Sequence, residues 1–89
     1  MIHVGRYTFR DVVYDGPSDV LYATLREAPT ARRVQTPEEH VCTPDARERL
    51  TGIAFMGAEE QLRREGAVYV TLPSGERERV QGAEAALRR

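Results

Sequence analysis

The stretch Gln35–Gly52, "QTPEEHVCTPDARERLTG", decides how the middle of this chain is read. Thr36-Pro37-Glu38-Glu39 carries the residues of a helix start: a hydroxyl at the cap, proline at the first helical position and acids in the first turn. Thr43-Pro44-Asp45 repeats the pattern. Yet "EEHVC" is too short to hold a helix before the next proline, and Asp45–Leu50 offers no apolar face. Leu50–Gly57, "LTGIAFMG", alternates as a strand does, with Ile53 and Phe55 opposite Ala54 and Met56. The pattern predicts two strands joined by a polar turn rather than two helices.

Working outward, Tyr7–Asp15 has strand composition, with Tyr7 and Phe9 on one side and Thr8 and Arg10 on the other. Asp15–Ser18, "DGPS", breaks the chain. Asp19–Leu25 forms a second strand with apolar residues on both sides, as expected of a strand in mid-sheet with cover on each face. "RRVQT" opens a third. Downstream, Ala58–Gly66 is the one well-signalled helix. Glu59 and Glu60 stand in its first turn, Arg63 and Arg64 in its last, and Gly66 suits a left-handed end. Glu59–Arg63 and Glu60–Arg64 are spaced as ion pairs. Ala58 and Leu62 are the residues available to dock it. Val68, Val70 and Leu72 share one side of a further strand, and Pro73-Ser74-Gly75 turns the chain back through "ERERV". A short helix ends it. The expectation is a single α+β domain over residues 1–89: a small, mostly antiparallel sheet of four to six strands, one helix after the fourth strand and a short C-terminal helix.

Composition narrows the function classes. The net charge of −1 gives no general pull toward phosphate backbones or anionic membranes. All thirteen basic residues are Arg, so no lysine exists for a Schiff base or a phosphate loop. The lone Cys42 excludes an internal disulfide and fits a reducing cytoplasm. The opening "MIHVGRYTF" does not resemble a secretory signal, and no window has the length and apolarity of a membrane span. A cytoplasmic protein is expected. Tyr7 and Tyr69 with Arg6, Arg10, Arg32 and Arg33 suggest a stacking platform for nucleic acid, but the slightly negative charge and the lack of an RNA-binding signature argue against it.

The order of pieces resembles the YuzE-like family, small bacterial domains of unknown function. The resemblance rests on Asp19, Leu21 and Tyr22; on Pro37, Glu38 and His40; on Asp45; and on Leu50, Gly52 and Ile53 leading into a helix. It covers roughly residues 12 to 72. Glu39 stands where that family often has Gly, and Ala54 where many members carry an acid. The resemblance implies a small mixed sheet followed by a helix and no established activity. Some members are encoded beside small toxin-like proteins, which implies an antitoxin-like partner role.

Glu38, His40 and Cys42 alternate and so project to one face of a strand. With Tyr22 they are the candidate ligand-binding residues. No residue is assigned a catalytic or metal-ligating role. Structural zinc wants four ligands, usually several Cys, and even with His3 the set falls short. A Cys–His dyad needs hydrogen-bond contact and an orienting third group. The plainer expectation is a buried thiol beside a partly exposed imidazole. Asp19 is expected to cap its own turn and Tyr22 to fill core with its hydroxyl at the rim. Adjacent Glu38 and Glu39 point apart and cannot form an acid pair. A two-sided apolar sheet with one thin helix leaves a face to be covered by another polypeptide. The expected function is therefore a non-enzymatic, self-associating interaction module, a homodimer or a protein with another protein partner, needing no cofactor. The rival classes are a small-molecule-binding or hydrolytic protein using Glu38 and His40, and an antitoxin-like partner.

Overall fold

The structure is a computed structural model and describes residues 1–88. The protein is α+β, as the pattern predicts, with a five-stranded antiparallel sheet at its centre. Its strands are β3 (Asp11–Asp15), β4 (Val20–Thr24), β5 (Val34–Gln35), β6 (Val41–Pro44) and β7 (Leu50–Met56). They lie in the order β3-β4-β7-β6-β5, so β4 is indeed interior and β7 is central. Two hairpins stand apart from the sheet. One pairs β1 (Ile2–Val4) with β2 (Tyr7–Phe9), and the other pairs β8 (Tyr69–Thr71) with β9 (Arg77–Arg79). Helix α1 (Ala58–Glu65) follows β7, and α2 (Ala83–Leu87) follows β9. Neither is long and apolar enough to cross a membrane.

The Tyr7–Asp15 run is not one strand. It breaks at Arg10, and its halves pair in different sheets. The opening stretch is two strands and a turn, with a refinement: β6 begins at Val41, and Glu38 to His40 lie in the loop before it. That loop explains the false helix signal. Glu39 N–H donates to Thr36 O at 2.8 Å, Thr36 N–H donates to His40 O at 2.8 Å, and Glu39 takes a left-handed φ of 71°. The result is a type I turn closed by a left-handed residue. A type I turn is one turn of near-helical backbone, so Thr at its start and Pro next suit both structures. The β6–β7 loop repeats the bonds, from Glu48 N–H to Asp45 O and from Asp45 N–H to Arg49 O, with Glu48 at φ 63°. The β8–β9 loop does so again around Gly75.

One face of the large sheet forms the core. Leu21, Ala23, Cys42, Ile53 and Phe55 point into it, meeting Ile2, Val4 and Phe9 from the first hairpin and Val68, Val70, Leu72 and Val80 around the second. Ala58 of α1 and Ala83 of α2 complete it. The inner face is thus covered by two hairpins and two helices, not by one thin helix. On α1 the deeply buried residues are Ala58 and Gln61, and Leu62 is half-buried. Gly52 sits where β7 passes β4 so closely that a Cβ there would lie 2.8 Å from Ala23 O.

Helix α1 has no side-chain cap of its own, because Gly57 occupies that position. Asp19, forty residues earlier, supplies it. Its carboxylate accepts the N–H of Glu59 at 2.8 Å and of Glu60 at 3.2 Å, and its carbonyl accepts those of Gly57 and Ala58. The Tyr14 hydroxyl donates to the same carboxylate at 2.8 Å. Burial works against the Asp19 charge, but these hydrogen bonds outweigh it and hold the carboxyl below its usual range. The same bond pushes the Tyr14 hydroxyl up to about 12. Asp19 therefore caps a distant helix rather than its own turn. Asp19→Ala is expected to cost roughly 1–2 kcal/mol in urea unfolding, the usual range for a lost helix cap, with Asp19→Asn intermediate. An unchanged midpoint in Asp19→Ala would remove the capping role.

Candidate functional site

The β5–β6 loop delivers Glu38 and His40 to the inner side of the molecule, where α1 and β8 meet them. His40 is fully buried, not partly exposed as its sequence context suggests. Its ring stands edge-on to Phe55 at 5.3 Å. Met56 N–H donates to its Nδ1 at 3.0 Å, which fixes Nδ1 as the acceptor and places the proton on Nε2. That Nε2–H donates to Gln61 Oε1 at 2.8 Å. The Gln61 amide nitrogen donates in turn to Tyr69 O at 3.3 Å and to Glu65 at 3.3 Å. The chain starts at one backbone N–H and ends at one backbone carbonyl, so its direction is determined throughout. Protonating Nδ1 would set two N–H groups against each other. Burial, which disfavours the charged ring, lowers the His40 pKa, with the Gln61 bond opposing it.

Glu38 is a second clasp. Burial disfavours its charge, but Thr71 donates through its hydroxyl at 2.7 Å and its N–H at 2.8 Å, bringing the carboxyl down to about 2. Arg77 Nε donates to it at 3.2 Å, and Nη2 of the same guanidinium reaches Glu65 at 3.0 Å. Arg77 also lies over the Tyr69 ring, 4.2 Å from its centre. Cys42 is packed in the core, and burial pushes its thiol up to about 11. Glu38 is thus an ionised carboxylate with its acceptor sites filled, His40 a neutral ring with both nitrogens engaged, and Cys42 a protonated thiol. That arrangement pins the β5–β6 loop to α1 and the β8–β9 hairpin, and its three side chains line neither of the two clefts described below.

Tyr22 stands on the opposite face of the sheet, about half exposed, and never meets the other three. The residues that sequence reasoning missed are Gln61, Thr71 and Arg77. Gln61 had a signal: it lies three residues after Ala58, on the docking stripe, where an apolar residue is the ordinary choice. Among the described residues no cluster of three His, Cys, Asp or Glu side chains is placed to hold a metal ion. Concave surface lies elsewhere. A cleft of about 720 Å³ opens where the three hairpin tips meet, over Leu50, Leu72 and Pro73. Of the charged residues lining it, Arg32 pairs with Glu48 at 2.6 Å and Arg6 donates to the Tyr7 hydroxyl at 3.3 Å, and Glu76 and Glu78 stand at its rim. A shallower groove of about 300 Å³ lies on the outer face beside Tyr22, Gly52 and Ala54.

Two predictions follow from the clasp. A group whose folded pKa is depressed binds protons more readily when unfolded, so stability falls as pH drops through the gap. For His40 the loss begins below about 6.5, and for Glu38 it begins below about 4.5 and continues toward 2. Urea unfolding at pH 7.5, 5.5 and 3.5 should show both stages, and His40→Gln should be weaker at pH 7.5 yet flat between 7.5 and 5.5. A slope unchanged in that variant would clear His40. Glu39, left-handed and exposed, should gain about 0.5–1 kcal/mol on replacement by Gly, which takes that conformation without steric cost; a loss in Glu39→Gly would contradict the loop geometry. Comparison with models of known families, with curated proteins and with solved structures finds no match for this chain.

Proposed function

We propose that this protein is a non-enzymatic interaction module that self-associates through the outer face of its large sheet. The observation that carries the proposal is the row Val13–Tyr22–Ala54–Val41, one residue from each of four adjacent strands. Val13 is 65% exposed, Tyr22 48%, and Met56 in the next row 42%. Both helices and both hairpins lie on the other side. A contiguous exposed apolar patch on a sheet face is a common mark of a protein-binding surface, and a second copy of the chain is the simplest cover. The engagement of Glu38, His40 and Cys42 in packing supports a binding role over a reaction.

The likeness to the YuzE-like family remains part of the proposal. Its support is Glu39, whose left-handed φ is the geometry that a Gly at that position would serve. A ligand-binding or hydrolytic role for Glu38 and His40, or an antitoxin-like role, has no comparable observation in its favour.

Sedimentation velocity at 10–200 μM should show a dimer forming with concentration. Tyr22→Glu, which places a charge in the centre of the patch, should remain a monomer with its melting temperature within a few degrees of the parent. A parent chain that stays monomeric throughout this range would sink the proposal.

A further inference from the structure

We infer that two copies pair face to face about a two-fold axis running parallel to the strands above the outer side of β7, so that Asp11 of each copy meets Arg33 of the other. This inference rests on self-association through the outer face and adds its orientation and its specificity.

Strand register supplies the geometry. Asp11 pairs with Thr24, Thr24 with Gly52, and Gly52 with Thr43. Because Val34 pairs with Cys42, the same register places Arg33 beside Thr43. Asp11, Thr24, Gly52, Thr43 and Arg33 therefore form one row across the outer face. Arg33 lines the outer groove together with Tyr22, Thr24 and Ala54, which puts it on that face. The row begins with an acid on one edge strand and ends with a base beside the other edge strand. Both are exposed, and neither has an ion-pair partner among the described residues. At about 4.8 Å per strand they stand roughly 19 Å apart, too far to pair within one chain.

Two in-plane two-fold axes bring such faces together with their strands aligned. An axis across the strands lays β3 on the partner's β3 and sets Asp11 against the partner's Asp15, a like-charge contact along the whole edge. An axis along the strands reverses each row upon itself. Asp11 then meets the partner's Arg33 at both ends of the interface, and Tyr22 stands over the partner's Val41. Gly52 and Ala54 lie beneath the axis, where the partly exposed Ala54 meets its own copy and its small side chain permits close approach. Sheets packed this way lie roughly aligned, as in a β-sandwich. Five strands and three rows cover only a few hundred Å² per copy, at or below the low end for specific interfaces. A reversible dimer follows, and the two charge pairs choose its orientation more than they strengthen it.

The test is a charge exchange read by sedimentation velocity at 10–200 μM. Asp11→Arg alone and Arg33→Asp alone should each weaken the dimer at least tenfold. An equimolar mixture should recover the parent affinity as a heterodimer, because one copy then carries two basic edges and the other two acidic ones. Both variants should melt within a few degrees of the parent. If Tyr22→Glu is monomeric while both charge variants dimerise like the parent, the face associates in another orientation and this inference falls alone. Weakened single variants whose mixture fails to recover also overturn it. If the parent itself is monomeric, or Tyr22→Glu dimerises like the parent, the inference and the self-association proposal fail together.

Discussion

A single buried imidazole with no freedom of protonation ties the parts of this fold together. His40 links the end of the central strand, through Met56 N–H, to the helix, through Gln61, and beyond it to the second hairpin, through Tyr69 O. Each of these groups would be costly to leave unpaired out of water. Satisfying them all at once fixes the distance between sheet, helix and hairpin. Glu38 makes the same connection from the loop's other side, through Thr71 and Arg77. Apolar packing supplies the drive toward a compact state, and these two residues set which compact state it is.

The architecture was legible where the signal was local. Alternation of Ile53 and Phe55 with Ala54 and Met56 gave β7, and acids before bases with a following Gly gave α1. The Thr-Pro-Glu-Glu segment was ambiguous for a physical reason. A hairpin loop built on a type I turn and a helix start both need an acceptor side chain, a preset φ and free amides at the same spacing. Length, not residue type, separates the two. The break at Arg10 had no local mark, because both halves of Tyr7–Asp15 have strand composition and only tertiary pairing divides them.

The candidate site was legible in part of its membership and not in role. Glu38, His40 and Cys42 do reach one side of the molecule, but Glu38 and His40 do so from a loop and not by strand alternation, and what they do there depends on Gln61, Thr71 and Arg77, which lie 21, 33 and 39 residues from their partners. Nothing in a short window carries that information. The outer face shows the reverse situation. Tyr22 is expected from its strand to fill core with its hydroxyl at the rim, whereas its register against Ala54 and Val13 places it among exposed apolar residues on the far side.

The remote capping of α1 has a consequence for how the chain acquires its structure. Eight residues with so few apolar contacts are too short to persist as a helix alone. The carboxylate that completes the helix lies before four of the five strands of the sheet, and the imidazole that anchors it lies between β5 and β6. No contiguous half of the polypeptide holds both the helix and everything that keeps it formed. Cleavage in the segment between β4 and β5 would therefore be expected to give fragments that are unstructured apart and recover order only on recombination, the behaviour of one cooperative folding unit.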